Sequence, residues 1–417
     1  MTRRVRLERD TLWLSAADIA ALLVGIAVHV VLTRTFTDGD YGRWVLLLDL
    51  FYLTATFVDL GLPTLIGRDG ERLGANAHGL VHRCLKIQVK IALPIIAVGG
   101  LLGYLWVGHS TVWLVASLIL ALSACVQILA YAHRAALRAL GESRQEALVR
   151  LVDRGATATA IVLAASVMGA HPIALALATF AGPIGAILLA VRLGEKKLGS
   201  VEGGEALDTS VDDGRSLITQ GFPFLLAAMA MVANVRVEKL MLGILATPED
   251  VEVFQIAWLA FIAGYAPILS VRAVMLSWFG EVRNDRVRMR HRAMRSFRIL
   301  GLCAIPGVVI GGLLGSAALG WVFPAYSESA TPLFHLMLFA WVLALLASVP
   351  LTLVQVSEKP LRYAAILWVG IIADCIACAV LIPERGVEGA AIAAIIGASI
   401  VLLVASHSAA SPSAIIS

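Results

Sequence analysis

The sequence predicts an all-α polytopic membrane protein of about twelve transmembrane helices, arranged as two parallel six-helix lobes. Composition is the first observation: 59% of the 417 residues are hydrophobic and 15% are charged, whereas soluble domains average about 25% charged. The second is a series of apolar stretches of about 20 residues, the length that crosses a bilayer as a helix. The third is an internal repeat, in which residues 91–103 (IALPIIAVGGLLG) return as residues 303–315 (CAIPGVVIGGLLG). An apolar chain that repeats at half its length is typical of transporters built from two copies of one unit.

Twelve apolar stretches give the predicted helices in chain order. The first lacks the separate charged and cleavable regions of a signal peptide, so we expect it to remain in the protein. The predicted helices cover residues 11–33, 44–66, 86–107, 111–133, 149–170, 172–192, 219–245, 253–278, 297–322, 331–354, 361–382 and 387–406.

The distribution of Lys and Arg predicts the topology. With a cytoplasmic N-terminus, 25 of these residues fall in cytoplasmic connections, and only Arg34, Arg43 and Arg385 fall outside. This strong positive-inside bias predicts an even number of helices with both termini cytoplasmic. The basic run 283–298 is also expected to contact anionic lipid head groups. The outer connections are too short for an external catalytic domain, which argues against an enzyme.

The repeat extends beyond its opening segment. Asp40 after helix 1 matches Asp250 after helix 7, and Arg83 before helix 3 matches Arg295 before helix 9. Helix n therefore matches helix n + 6. Because six is even, both halves enter the membrane from the same side and form parallel repeats with a cleft between them.

The polar connection 193–215, rich in Gly, Glu and Asp, is the predicted linker between the halves. We therefore expect an N-terminal lobe over 1–207 and a C-terminal lobe over 208–417. The glycines shared by the two copies, such as Gly103 and Gly315, are interpreted as small-residue contacts between packed helices.

Sequence motifs of catalysis are missing. The chain has no phosphate-binding G-x-x-x-x-G-K-[ST] loop, no H-E-x-x-H, no nucleophile elbow and no plausible triad. It also shows no cluster of metal ligands. We expect no catalytic residue, no metal, no cofactor and no nucleic-acid partner.

Cations at membrane depth are candidates for substrate binding, because each costs a few kcal/mol unless it faces a cavity or a partner. Arg236 and Lys239, three apart in helix 7, would share one face, which meets either an anion-binding cavity or, by snorkelling, the outer interface. Arg272 in helix 8 would contact an anion if it faces the cleft. Arg154 is either a cavity cation or part of a basic helix end paired with Asp153.

Acids at membrane depth are candidates for ion coupling. Each could bind H⁺ or Na⁺, or could pair with a nearby Arg, and the sequence leaves both alternatives open. These residues are Asp18, Asp49, Asp59, Glu238 and Asp374.

Four segments together resemble the polysaccharide-transporter flippases of the multidrug/oligosaccharidyl-lipid/polysaccharide (MOP) exporter superfamily. They are 34–44 (RTFTDGDYGRW), 59–62 (DLGL), 238–243 (EKLMLG) and 381–393 (LIPERGVEGAAIA). The last is the most specific. Glu252 departs from the family pattern, which has Gly at that position.

The resemblance implies a MATE-like fold, with two six-helix lobes around a central cavity. It also implies a transporter of the cytoplasmic membrane that flips a polyprenyl-diphosphate-linked oligosaccharide by alternating access, coupled to an ion gradient. We expect it to act as a monomer. One alternative is a cation-coupled multidrug antiporter of the same superfamily, for which an acidic, aromatic cavity would be expected. The other is a membrane-embedded enzyme of glycan assembly.

Overall fold

The computed structural model describes residues 3–37, 39–73, 77–108, 110–198, 214–283, 285–357 and 360–410. Every regular element in these ranges is a helix, which confirms the predicted all-α class. The helices are α1 (Arg3–Thr35), α2 (Asp40–Asp59), α3 (Leu62–Leu73), α4 (Ala77–Val107), α5 (Thr111–Ala139), α6 (Ser143–Met168), α7 (Pro172–Ala178), α8 (Ala181–Leu198), α9 (Gly214–Ala233), α10 (Val237–Leu245), α11 (Pro248–Gly280), α12 (Arg286–Val322), α13 (Ser327–Val356) and α14 (Pro360–Ala410).

The described helices provide ten candidate membrane spans, and α2 with α3 adds an eleventh that is bent by 51°. Helix α14 has 51 residues, far more than the roughly 20 that cross a bilayer. Gly386 divides it into two arms, with φ 56° and ψ −130°, a conformation that glycine adopts without steric strain. Counting each arm as a span gives twelve segments, which follow the twelve predicted stretches in order.

The chain forms two compact units. Unit 1 comprises Met1–Thr37 and Leu47–Met229, and unit 2 comprises Asp38–Leu46 and Ala230–Ser417. The predicted boundary at 207/208 falls among residues 199–213, outside the described residues, so the division at that point stays a prediction.

Helix α5 is central to unit 1. It packs against α3, α4, α7 and α8, while α6 packs against α1 and α8. The buried residues of α5 include Trp113, Ala116 and Leu120. Their spacing of three to four residues places them on one helical face. Leu65 of α3 and Cys84 of α4 belong to the core that the C-terminal half of α5 completes.

Helix α13 is central to unit 2 in the same way. It packs against α11, α12 and α14, and α10 packs against α14. The core joins Phe279 of α11, Leu300 of α12 and Val349 of α13. Helix pairs at equivalent places in the repeat therefore pack alike: α4 on α5 as α12 on α13, and α1 on α6 as α10 on α14.

Two glycines of the repeat lie where neighbouring helices approach closely. A Cβ on Gly103 would lie 2.6 Å from Oγ of Ser117 on α5, and a Cβ on Gly315 would collide with the ring of Phe334 on α13. Real Cβ atoms do not come so close. The interpretation of these glycines as helix-packing contacts is confirmed.

Helix 7 differs from the prediction. One continuous helix was expected over 219–245, but α9 ends at Ala233 and α10 begins at Val237. Arg236 has φ −133° and ψ −15° and forms the N-cap of α10. Asn234 starts the turn, and asparagine favours such breaks because its side chain competes for backbone hydrogen bonds. The prediction of an unbroken helix was wrong, and the same-face argument for Arg236 and Lys239 no longer holds.

Glu252 of α11 caps the first turn of α2 within unit 2. Its buried carboxylate accepts hydrogen bonds from the backbone N–H groups of Gly39 (2.9 Å) and Gly42 (3.1 Å). The hydroxyl of Tyr326 donates to its second oxygen at 3.3 Å. A carboxylate at a helix N-terminus is favoured by the free N–H groups and the helix dipole. The residue that departs from the family pattern therefore stabilises the start of α2.

Candidate functional site

Unit 1 contains a cavity of about 790 Å³ lined by five arginines. They come from three helices, with Arg68 on α3, Arg134 and Arg138 on α5, and Arg150 and Arg154 on α6. The other lining residues are Asp18, Ala21, Pro63, Thr64, Gly67, Tyr131, Ala135 and Phe224. We call this site the arginine cavity.

A helical hairpin gathers four of these arginines. Helix α5 ends at Ala139 and α6 begins at Ser143, and a tight turn joins them in which Glu142 N–H donates to Leu137 O at 2.8 Å. Arg134 and Arg138 are four apart on α5, and Arg150 and Arg154 are four apart on α6. Residues four apart share a helix face, so each helix turns two guanidinium groups to the same cavity.

Glu146 organises the hairpin from behind the cavity. Its side chain is 0% exposed, and it accepts two hydrogen bonds from Arg138, from Nε at 2.8 Å and from the terminal nitrogen at 2.5 Å. Arg150 donates to it at 3.1 Å, and a terminal nitrogen of Arg134 lies 3.8 Å away. A buried carboxylate needs such partners to offset its lost hydration, so Glu146 fixes the three guanidinium groups close together.

Arg154 has a neutral partner, and Arg150 has a second, exposed one. Arg154 donates to the hydroxyl of Tyr52 at 2.9 Å. Arg150 also pairs with Asp18 of α1, whose side chain is 62% exposed. Asp153, the predicted local partner of Arg154, accepts a hydrogen bond from Gln127 at 2.9 Å.

Arg134 is the most deeply placed of the five arginines. It is 9% exposed, and its guanidinium lies over the ring of Tyr131, 4.8 Å from the centroid. In the part of the chain that the structure describes, its Nε has no hydrogen-bond partner. A buried donor that lines a cavity is available to an acceptor that enters it.

Unit 2 contains a second cavity of about 260 Å³ with a different chemistry. Aromatic side chains line much of it, namely Phe254, Trp258, Phe261, Tyr265 and Tyr363. Its ionisable lining residues are Glu238 of α10, Asp374 of α14 and Arg272 of α11. We call this site the carboxyl cavity.

Glu238 and Asp374 face each other across the carboxyl cavity. Both are buried, and their carboxyl groups lie close enough to interact electrostatically. Cys378 lies 3.5 Å from Asp374. Gly397 lets the second arm of α14 approach, because a Cβ there would come within 2.9 Å of the Asp374 side chain. Two carboxyl groups this close can share one proton or one cation.

Arg272 is held on the wall of the same cavity. Its guanidinium donates to the Tyr363 hydroxyl at 2.9 Å and to the side-chain oxygen of Gln355 at 3.3 Å. The structure therefore brings Arg272 together with two of the predicted ion-coupling acids.

The two cations of helix 7 lie outside both cavities. Lys239 is 2% exposed, donates to Gln255 at 2.9 Å and sits 3.9 Å from the ring centroid of Trp258. Arg236 donates to the carbonyl of Val232 at 3.2 Å. Their role in substrate binding stays a prediction.

Two of the predicted acids lie outside both cavities as well. Asp59 ends α2 and accepts from the backbone N–H of Gly61 at 2.9 Å, which stabilises the bend into α3. Asp49 is buried within α2. Neither placement tests the prediction that these residues couple an ion. No group of three or more potential metal ligands occurs among the described residues.

Sequence reasoning missed most of the arginine cavity. Arg68, Arg134 and Arg138 were interpreted only as topology signals in cytoplasmic connections. Arg150 was interpreted as such a signal and as part of a basic helix end, and Glu146 was not considered. The sequence did contain an indication of the site. The end of α5 and the start of α6 both carry ionisable residues at intervals of four, which places them on one face of each helix.

Solved structures of transporters share this fold. An inward-facing multidrug resistance MATE family transporter of the MOP superfamily matches with a TM-score of 0.73 and 13% identity, over 92% of this chain and 92% of its own. Lipid II flippase MurJ, in an inward closed conformation, matches with a TM-score of 0.73 and 14% identity, over 95% of this chain and 87% of its own. A MOP superfamily transporter from Pyrococcus furiosus matches with a TM-score of 0.70 and 14% identity, over 95% of this chain and 93% of its own.

The sequence matches no family model and no curated protein. At 13–14% identity the structural likeness shows the fold alone. The chain therefore has the MOP superfamily fold, which confirms the predicted MATE-like fold class.

Proposed function

We propose that this membrane protein flips a polyprenyl-diphosphate-linked oligosaccharide from the cytoplasmic to the outer leaflet by alternating access. The observation that carries the proposal is the arginine cavity, where five guanidinium groups line about 790 Å³. Arginine binds phosphate oxygens in a bidentate manner and keeps its charge at all physiological pH values. A diphosphate would satisfy buried donors such as Nε of Arg134.

The balance of charge favours an anionic substrate. Among the described residues that line the arginine cavity, Asp18 is the one acid, against five arginines. Glu146 and Asp69 offset part of the excess, through Arg134, Arg138 and Arg150 and through Arg68 respectively. The cavity remains cationic, and a positively charged drug would be repelled from it.

The topology favours loading from the cytoplasm. The positive-inside distribution places Arg68, Arg138 and Arg150 in or beside cytoplasmic connections. We therefore expect the phosphates to enter from the inner leaflet of the cytoplasmic membrane, where lipid-linked sugars are assembled.

The carboxyl cavity is the proposed ion-coupling site. Glu238 and Asp374 are buried and close enough to interact electrostatically, and a pair of this kind binds a proton or Na⁺ in preference to remaining doubly charged. Of the five acids predicted from sequence, these two have the geometry that best suits coupling.

A multidrug antiporter is the second candidate function. The carboxyl cavity is aromatic and acidic, as a site for cationic drugs would be, and one of the similar structures is a multidrug resistance transporter. Another is a lipid II flippase, so the fold serves both functions and does not choose between them.

A reconstituted flipping assay tests the proposal. Proteoliposomes would contain the purified protein and a fluorescent polyprenyl-diphosphate disaccharide, and flipping would be read by quenching from outside. We expect the double variant Arg134→Gln/Arg154→Gln to slow flipping at least tenfold, because two charge-assisted phosphate contacts are lost.

The matched control is Arg288→Gln, which removes a 76% exposed arginine of unit 2 and should leave the rate unchanged. Wild-type flipping in the double variant would refute the role of the arginine cavity. Exchange of a cationic dye for protons without any lipid flipping would favour the multidrug antiporter instead.

A further inference from the structure

We propose that Asp18 is an internal counter-ion of the arginine cavity, which the substrate phosphates displace from Arg150. The inference rests on the proposed function, because it requires an anion to enter this cavity. Asp18 lies on α1, lines the cavity and pairs with a terminal nitrogen of Arg150 on α6. The protein therefore carries one carboxylate of its own at the place assigned to the phosphates.

Asp18 is the most exposed of the carboxylates beside these arginines. Its side chain is 62% exposed, whereas that of Asp69 is 25% exposed and that of Glu146 is 0% exposed. Asp153 is buried and held by Gln127. Solvent, and hence an incoming anion, reaches Asp18 before it reaches the others.

Displacing Asp18 leaves Arg150 with a partner. Arg150 donates to Glu146 at 3.1 Å, four residues earlier on the same helix. The pair with Asp18 is exposed, and exposed ion pairs contribute little to stability. A diphosphate offers several charged oxygens to Arg150 and its neighbours at once, so it competes well against a single carboxylate.

The inference assigns Asp18 a role that differs from ion coupling. A coupling residue binds and releases a cation, whereas a counter-ion stays negative and weakens anion binding while it occupies the site. Removing the Asp18 carboxylate raises the net charge of the cavity by one, and anions should then bind more tightly.

Pyrophosphate binding to the full-length protein in nanodiscs, measured by calorimetry at fixed salt, is the test. We expect Asp18→Asn to tighten pyrophosphate binding by about fivefold. Arg150→Gln should weaken it by about tenfold. In the double variant Asp18→Asn/Arg150→Gln the fivefold gain should vanish, because the two side chains act through one contact.

Glu328→Gln is the matched control, since it removes an exposed carboxylate of unit 2 that does not line the cavity. Asp18→Ser is the second variant, and only variants with the wild-type melting temperature are compared. If the wild-type protein binds pyrophosphate and the Asp18 variants bind it no more tightly, this inference is overturned and the proposed function stands. Failure of both the wild-type and Asp18→Asn proteins to bind pyrophosphate overturns the anion-binding cavity itself.

Discussion

Glu146 shows how one residue sets the geometry of a whole site. A single carboxylate with no solvent exposure holds three guanidinium groups that would otherwise repel one another. These arginines come from two helices, Arg134 and Arg138 from α5 and Arg150 from α6, and Glu146 is the partner that all three share.

Glu146→Gln should therefore destabilise the protein. The amide keeps the shape but leaves Arg134 and Arg138 without this carboxylate and Arg150 with Asp18 alone. Breaking a buried ion pair costs roughly 3–5 kcal/mol. Water will offset part of this loss of stability by hydrating the guanidinium of Arg138, whose side chain is 54% exposed. A lower midpoint of thermal unfolding in detergent would be the expected result. Glu384→Gln, at an exposed position of α14, is the control, and equal midpoints would contradict the role of Glu146.

Single residues were predictable from sequence where they interrupt apolar runs. Glu238, Arg272 and Asp374 stood out for that reason, and the structure places them in one cavity. Arg154 of α6 stood out as well. Arg134 and Arg138 at the end of α5 did not, because their surroundings have the composition of a cytoplasmic connection. Only the hairpin, with the turn before Ser143, shows that they face a common space.

The order of the spanning segments was predictable from sequence, but the breaks within them were not. Hydropathy measures how apolar a stretch is and is insensitive to the backbone direction. It therefore predicted one span where α2 bends into α3 at Gly61 and where α9 gives way to α10 after Ala233. The break at Gly386 lay between two predicted helices and was expected.

Helix contacts at the repeated glycines lead to a prediction about packing. Gly103→Ala should destabilise unit 1, because the new methyl group would lie 2.6 Å from Oγ of Ser117 and 3.0 Å from Leu47. Overpacking of this kind costs about 1–3 kcal/mol. Gly25→Ala is the matched control, since no atom lies within 4 Å of its new Cβ, and alanine favours a helix. Thermal unfolding of both variants would decide, and equal midpoints would contradict the packing role.

At the scale of the whole molecule, the two units share a packing pattern and differ in charge. Helices α5 and α13 hold equivalent central positions, as the sequence repeat predicted. The arginine cavity lies in unit 1 and the carboxyl cavity in unit 2. The sequence repeat therefore accounts for the shared helix packing, whereas the ionisable residues that line the two cavities are not repeated, so the repeat could not predict them.

The proposed roles of the two cavities, with substrate binding in unit 1 and ion coupling in unit 2, predict that coupling and substrate binding can be separated. Glu238→Gln and Asp374→Asn should abolish the acceleration of flipping by a proton or sodium gradient, because the carboxyl pair would lose its charge change. Pyrophosphate binding should stay as in the wild type, since both residues line the carboxyl cavity. Flipping rates with and without each gradient would be compared. Full acceleration in both variants would remove the pair from the coupling mechanism.

The buried charges of α6 also bear on how the chain enters the membrane during synthesis. Helix α6 is the least apolar of the ten candidate spans, and its acids Glu146 and Asp153 find their partners on α5, in Arg138 and Gln127. Alone in lipid, such a helix would expose unpaired charge to hydrocarbon. We therefore expect α5 and α6 to enter the bilayer together, as a hairpin in which these pairs are already made.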